Sequence, residues 1–527
     1  MTPTVLQHSP DLQHSPAWQA LHSHQHSLRD VHMRDLFAAD PQRAQRLALD
    51  AGTLFIDYAK HRITDQTLKL LLQLAQARGL AGWRARMFDG DAINTSEGRA
   101  VLHVALRGSG AQAAQDEARA GLDAMRRISN AVRSGSAKGV TGKAFTDIIH
   151  IGIGGSDLGP RLAVTALAHS SLATTTTTGA TPPRTHFVAN VDPHELDGVL
   201  RRCDPAATLV IVISKSFGTA ETLLNAQHAR QWLTQTLGPD IGAHLIGVTN
   251  NAAAAGAFGI APDHVLRIPD WVGGRFSLWS AAGLAIMLAL GSEPFDALLA
   301  GAAEIDSHFR EAPPAQNAPV ILALLSVWYG NFWGAQTHAV LPYSKRLALL
   351  PDYLQQLEME SNGKRLDRSG QPVTHATAPI IFGGVGVNSQ HSFHQLLHQG
   401  THLVPSDFVV LAPGIDARSR MLAINAVAQT AALMSGDAAD PHGTPGNQPS
   451  TTILLPALTP RTLGALLALY EHKVFVEGVL WNINSFDQPG VDLGKRLAAA
   501  LMPAAGSNAP AAADSSTLAL MQRLRRP

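Results

Sequence analysis

The stretch Glu358-Met359-Glu360-Ser361-Asn362-Gly363-Lys364 sets two carboxylates in a polar knot, after Tyr353-Leu354-Gln355-Gln356 and before Gln390-His391-Ser392-Phe393. A carboxylate and an imidazole are the usual proton-transfer groups. A surface glutamate and a hydrogen-bonded histidine would have the same spacing. Two further stretches suit an anion. In Gly152-Ile153-Gly154-Gly155-Ser156-Asp157-Leu158-Gly159, glycines let backbone N–H groups approach an oxyanion, and a following helix N-terminus favours negative charge. A dinucleotide fingerprint fails there because Asp157 occupies the third glycine position; a bare strand-to-helix turn is the alternative. In Ser214-Lys215-Ser216-Phe217-Gly218-Thr219-Ala220-Glu221-Thr222, hydroxyls and one lysine suit a phosphomonoester better than a helix cap alone would require. Arg275 follows Gly273-Gly274 and enters a charge-free run, so it needs an anionic partner, either a ligand or Asp270. Asn484 to Lys495 ends a turn-rich segment on another lysine; three of the nine lysines, 215, 364 and 495, fall in these motifs.

The elements that position these groups follow from periodicity. FTDIIHIG, THFVANVD, ATLVIVIS, HLIGVTN, THAVLPYS, APIIFGG and DFVVLAP read as strands alternating with helices, which predicts parallel sheets in α/β layers. The two anion-friendly turns then lie at carboxyl ends of strands, where open α/β sheets place ligands. Apolar helices over Leu278–Leu290 and Val320–Trp333 separate two sheet groups, and the region from Ala17 to Leu80, including RAQRLALDAGTLFIDYAK, reads as helical. Thr174–Pro183 reads as a polar loop and Pro503–Ser516 as a linker into a terminal helix. Histidines at 8, 14, 22, 24, 26 and 32 invite a metal reading, but a helix would scatter them and no carboxylate cluster lies beside them.

Composition bounds the rest. The chain has 527 residues, 41 basic against 41 acidic, with 45% hydrophobic and 16% charged residues, which excludes wholesale disorder and gives no charge excess for nucleic acid or anionic lipid. A single cysteine, Cys203, excludes a disulfide framework and CxxC metal sites and fits a reducing compartment. With no basic and apolar leader at the N-terminus, and polar interruptions in its charge-poor stretches, the expectation is a cytoplasmic protein without membrane spans.

Taken in order, GIGGSDLGP, SKSFGTAET, DWVGGRFSLWSAAG, MESNGK, QHSFHQLLHQG and NSFDQPGVDLGK resemble the glucose-6-phosphate isomerase (phosphoglucose isomerase) family, over about Ala17 to Lys495. The family usually carries a bulkier residue at Gly218, Gln at Ala220, Trp at Pro489, and GTNGQH where this chain has GVNSQH. The resemblance implies two sugar-isomerase α/β domains, doubly wound with largely parallel sheets, plus N-terminal helices and a C-terminal helical extension. The expected boundaries are 1–109, 110–289, 290–502 and 503–527. It implies a homodimer that interconverts glucose 6-phosphate and fructose 6-phosphate with neither metal nor other cofactor. On matching positions, Glu360 would move a proton between C2 and C1 through a cis-enediol, His391 with Lys495 would assist ring opening, and Arg275 would stabilise the enediol oxygens. Gly155, Ser156, Ser214, Lys215, Ser216 and Thr219 would bind phosphate, with Gln356 and Gln488 as further substrate contacts. His391 would come from the neighbouring subunit. A non-catalytic sugar-phosphate sensor would not need Glu360, His391 and Lys495 together, and a nicotinamide dehydrogenase is opposed by Asp157.

Overall fold

Residues 43–60 depart from the helical expectation. In the computed structural model, which describes residues 12–168, 181–437, 439–440, 442–502 and 514–524, a single helical turn at Arg43–Arg46 gives way to a hairpin. Its strands are β1 (Ala48–Ala51) and β2 (Leu54–Asp57), joined through Gly52 at φ +58°, a conformation that costs glycine nothing. The apolar residues that mimic a helical stripe are alternating: Leu54 and Ile56 are buried while Phe55 is exposed, and Ile56 faces Ile453 of the later strand Ser450–Leu455. The N-terminal region is therefore helical only in part.

The chain divides into two compact units, Met1–Ser485 and Phe486–Pro527. The first holds two sheets. β3 (Asp147–Ile151), β4 (Arg184–Val188), β5 (Thr208–Ile213), β6 (Leu245–Val248) and β7 (Val265–Leu266) form an all-parallel sheet in the order β4-β3-β5-β6-β7. Every residue of β3 and β5 is buried, as strands covered on both faces require. Connections run from β3 to β4 on one side and then to β5 on the other, so the winding reverses between β3 and β5. The second sheet has the order β1-β2-β11-β10-β8-β9, with β8 (Thr337–Pro342), β9 (Ile380–Gly383), β10 (Ser406–Leu411) and β11 (Ser450–Leu455) parallel and the hairpin antiparallel at one edge. The seven expected strands all form; β1, β2, β7 and β11 are additional.

Of the expected apolar helices, the first shortens to Leu284–Leu290 and the second to Ala318–Val327, which continues into a π turn at Trp328–Phe332. After β11 runs the helix Pro460–Leu480, started by a Thr459/Thr462 capping box and buried at every position but Arg461. It packs on Ser292–Glu311 at backbone distance: a Cβ on Gly464 would lie 1.9 Å from the Leu298 carbonyl oxygen, and one on Gly301 would lie 1.8 Å from that of Arg461. On this helix Glu471, His472, Lys473 and Glu477 are charged or titratable and buried.

The second unit contributes a 3-10 turn at Pro489–Val491 and helices at Asp492–Leu501 and Ser515–Leu524. Most of the linker expected at 503–516, most of the threonine-rich loop at 174–183, and His8 lie outside the described residues. Among the described residues no helix is long and apolar enough to cross a membrane.

Candidate active site

Both anion-friendly turns stand at carboxyl ends of adjacent strands, at the reversal between β3 and β5, which is where doubly wound sheets open a ligand crevice. After β3, Gly154 takes φ +61° and opens the turn Gly154–Ser156. Behind it, buried His150 donates from Nε2 to the Ser156 carbonyl at 2.7 Å; since a carbonyl only accepts, Nε2 carries the proton. Burial lowers the His150 pKa to about 4, so the ring is neutral near neutrality. Burial raises Asp157 to about 6, against the pull of Arg161, whose Nε donates to its carboxylate at 2.9 Å.

After β5, Ser214 and Thr219 hydroxyls lie 3.1 Å apart, and Phe217 is held at φ +51° with its ring buried against Phe258. A bulky residue in that region is an outlier worth a reason. Here the buried ring turns the chain so that Lys215, Ser216 and Thr219 stay at the surface of the turn. Lys215 donates to the carbonyls of Asp270 and Val272 at 3.1 and 3.0 Å, with the Asp270 carboxylate 4.0 Å away. It therefore clasps the loop that leads to Arg275. Burial lowers its pKa.

Gly155 is required by that same loop. A Cβ there would lie 2.0 Å from the Gly274 carbonyl oxygen, so the glycine turn and the Arg275 loop meet backbone to backbone. Arg275 is buried, and Asp270 is not its partner: Asp270 accepts from Asn250 Nδ2 at 2.9 Å. Arg275 instead donates from Nε to Ser361 Oγ and from Nη2 to the Ser485 carbonyl, both at 2.6 Å, while Nη1 lies 3.7 Å from Glu360 Oε2. Glu360 ends a π turn, Gln355–Glu360, a helix irregularity frequent at functional sites. Gln356 Nε2 donates to Glu360 Oε2 at 2.8 Å and also packs toward the open face of Gly154. Lys364 donates to the Glu360 and Ser361 carbonyls at 2.9 and 2.8 Å, closing the turn. A carboxylate with one oxygen fixed by an amide and a guanidinium, and its side chain 24% exposed, can accept a proton from a group presented to it.

The structure thus brings together Gly155, Ser156, Ser214, Lys215, Ser216, Thr219, Arg275, Gln356 and Glu360. It does not join His391 to them: the residue is exposed on the turn Asn388–His391 after β9, and no hydrogen bond or ion pair links it to Glu360 among the described residues. Gln488 and Lys495 belong to the second unit, both exposed, Lys495 on the helix Asp492–Leu501.

Two partners of the site lay outside the sequence reading. His150 signals itself only as a polar residue flanked by isoleucines in a strand, and the charges of Pro460–Leu480 only as Glu471-His472-Lys473 and Glu477 in the largely apolar run after Thr462. Glu358 is buried rather than a surface carboxylate, and Lys473 Nζ lies 3.0 Å from it.

The histidines of the helix Pro16–Ser27 scatter only in part: His24 bonds Thr67 Oγ1 at 2.7 Å, while His22 and His26, one turn apart, stack on one face. Among the described residues one group has metal-ligand proximity, Asp147, His186 and Cys203. Arg184 already binds that carboxylate through two nitrogens at 3.0 and 2.8 Å, and burial and Asp147 push the Cys203 thiol up to about 11, so this is a salt-bridge cluster.

The family model for phosphoglucose isomerase matches residues 57–521. The chain belongs to the phosphoglucose isomerase family. It is 48% identical over 530 residues to a glucose-6-phosphate isomerase of Dechloromonas aromatica (97% of this chain, 99% of that one) and 48% identical over 545 residues to one of Deinococcus deserti (98% and 99%). Among solved structures it resembles the glucose-6-phosphate isomerase of Chlamydia trachomatis, with a TM-score of 0.86 at 33% identity, covering 98% of this chain and 100% of that one. The fold is accordingly the sugar-isomerase α/β fold of this family.

Proposed function

We propose that the chain interconverts glucose 6-phosphate and fructose 6-phosphate, with Glu360 as the base that moves a proton between C2 and C1 through a cis-enediol. The observation that carries this is the junction at Gly155 and Gly274. The glycine turn, our candidate phosphate site, there meets the loop whose Arg275 reaches Glu360, which supports one small molecule being held at its phosphate and deprotonated at carbon. Ser156, Ser214, Lys215, Ser216 and Thr219 bind the phosphate oxygens, Gln356 orients Glu360, and Arg275 stabilises negative charge on the enediol oxygens. Gln488 is a further substrate contact. His391 and Lys495 assist ring opening, roles that rest on the family resemblance.

Exposure of His391, with no tie to Glu360 among the described residues, supports a homodimer in which each site takes His391 from the other subunit. So does the uncharged exposed stripe Met421, Ile424 and Val427, 67%, 61% and 56% exposed, on Ala417–Ser435. A cytoplasmic setting, with no nucleic-acid partner, is supported by the one cysteine and the balanced charge. The four segments 1–109, 110–289, 290–502 and 503–527 remain the proposed organisation, supported by a five-stranded sheet contained within the second.

Incubation with fructose 6-phosphate, with glucose 6-phosphate detected through a coupled dehydrogenase, tests the reading. Product should appear at a rate unchanged by EDTA. Absence of product, or its abolition by chelator, overturns it.

A further inference from the structure

The reaction proposed above uses Glu360 and Arg275, yet a buried charge cluster around Glu358, two residues from Glu360 in sequence, has no part in it. Lys473 Nζ stands 3.0 Å from Glu358 Oε2 and 2.6 Å from Glu477 Oε1, and all three side chains are at most 4% exposed. Neutral residues of similar volume would fill this space without the cost of stripping water from three ionisable groups. The two carboxyl groups also add to the acceptors that one amide faces.

Asn362 Nδ2 faces three acceptors, Glu358 Oε1 at 3.1 Å, the Val474 carbonyl at 3.0 Å and Glu477 Oε2 at 3.3 Å. Only the NH2 end of an amide can donate, so Oδ1 must turn the other way. There it accepts from Ser485 Oγ at 2.7 Å. The Ser485 carbonyl in turn accepts from Arg275 Nη2, and Ser361, next to Asn362 in the chain, accepts from Arg275 Nε. Gly478 makes the approach possible, since a Cβ there would lie 1.8 Å from Ser485 Oγ and 3.2 Å from Asn362 Oδ1.

We propose that Lys473 is a positioning residue: with the Glu358 and Glu477 carboxyl groups it forms a buried bracket that orients Asn362 and, through Ser485 and Ser361, holds Arg275 where it and Glu360 work on the sugar phosphate. The bracket is close to charge balance. Burial favours the neutral form of both carboxyls, but Lys473 and Asn362 hold Glu358 below its ordinary range, while Glu477, facing the Glu358 charge, lies well above its own. The Glu477 shift favours its neutral form, so that Glu358 carries the charge that faces Lys473. This inference rests on the assignment of Glu360 and Arg275 to the chemistry.

The test is a double variant, Lys473→Met with Glu358→Met, which nearly keeps volume, removes one opposite-charge pair, and deletes the Lys473–Glu358 bond and one of the three acceptors of Asn362 Nδ2. It should melt cooperatively, bind inorganic phosphate at the phosphate turns as the parent does, keep KM within about twofold, and lose kcat by ~10-fold or more, as sub-ångström misplacement of a reacting group does. A purely structural role predicts the opposite, a changed melting temperature with kcat retained. A folded double variant turning over within about twofold of the parent overturns the proposal. Should that variant not fold, Ser485→Ala decides, because it removes one hydroxyl from the same path: kcat should fall about fivefold at unchanged KM, and an unchanged kcat overturns the proposal. Glu360→Gln measured alongside separates the two claims. Normal turnover in that variant overturns the base assignment, whereas its loss combined with normal turnover in the double variant and in Ser485→Ala overturns the bracket alone.

Discussion

The phosphate side and the base side of the site are built on different plans. On the proposed phosphate side, Ser156, Ser214, Lys215 and Thr219 lie within two strand-to-helix turns of one parallel sheet, backed by His150 in β3, and their donors are hydroxyls, backbone amides and one ammonium. On the base side, Arg275 reaches Ser361 and Ser485 across 86 and 210 residues of sequence, and the supporting charges come from a third region, the helix Pro460–Leu480. On the proposed assignment the first plan is redundant, with several donors available to one phosphate. The second is not, since one carboxylate, one guanidinium and one amide each hold a distinct place. Loss of a part should therefore weaken binding gradually on the phosphate side and stop chemistry on the base side.

Glu360→Gln breaks the base side at its centre. It keeps shape and the Gln356 contact while removing basicity, and kcat should fall ~10²–10⁴-fold, with solvent exchange of the C2 proton falling in parallel. A rate near that of the parent would move the base elsewhere. Glu358 is a poor substitute because it is buried and paired with Lys473.

Lys215 joins the two sides, because its ammonium both faces the phosphate turn and clasps the Asp270 and Val272 carbonyls. Lys215→Ala should raise KM roughly 10–100-fold, the worth of a charged hydrogen bond, and lower kcat as the Arg275 loop loosens. Ser214→Ala should raise KM only a few-fold with kcat unchanged. Steady-state kinetics of both variants checks the contrast; equal effects would mean the turn is not redundant.

The His391 contribution is sharpened by mixing. Glu360→Gln and His391→Ala proteins, each nearly inactive, should regain about a quarter of parental activity after denaturation and co-refolding, because half the dimers are mixed and each then has one intact site. Mixed dimers seen by mass spectrometry without regained activity would place both residues in one chain.

The smallest effect concerns stability on the phosphate side. His150 titrates near 6.5 when unfolded and about 4 when folded, so the stability it contributes is complete above pH 6.5 and lost as pH falls toward 4. His150→Gln should remove that part of the acid destabilisation, no more than ~3 kcal/mol between pH 7 and pH 4. Urea midpoints of parent and variant at the two pH values measure it. Asp157 works in the opposite sense, gaining stability as pH falls through about 6, and cancels in the comparison. Equal losses in both proteins would show that His150 does not carry the effect.

How much was legible follows the same division. The glycine and hydroxyl turns were visible because strand, turn and helix are adjacent in sequence, so both ligand chemistry and its location can be read within about ten residues. Glu360 was visible as a residue type but not as a geometry. The hairpin at 48–57 was misread as helix because Leu47, Leu49, Leu54 and Ile56 fit a helical stripe as well as an alternating one, and Gly52 alone broke the tie. β11 and the two-residue β7 add strands that the pattern did not single out.

By itself, the amino-acid sequence determined the α/β class, the placement of two anion turns at strand ends, and membership of the isomerase family, because each is encoded by local periodicity or short contiguous motifs. Tertiary structure alone decided that Arg275 pairs with Ser361, Ser485 and Glu360 rather than with Asp270, only five residues away. It alone decided that Glu358 is sealed against Lys473 while Glu360, two residues on, remains partly exposed. The physical reason is that burial and the direction of a hydrogen bond are properties of packed surroundings. Two glutamates of identical chemistry in one turn acquire different roles only when a helix more than a hundred residues away closes over one of them.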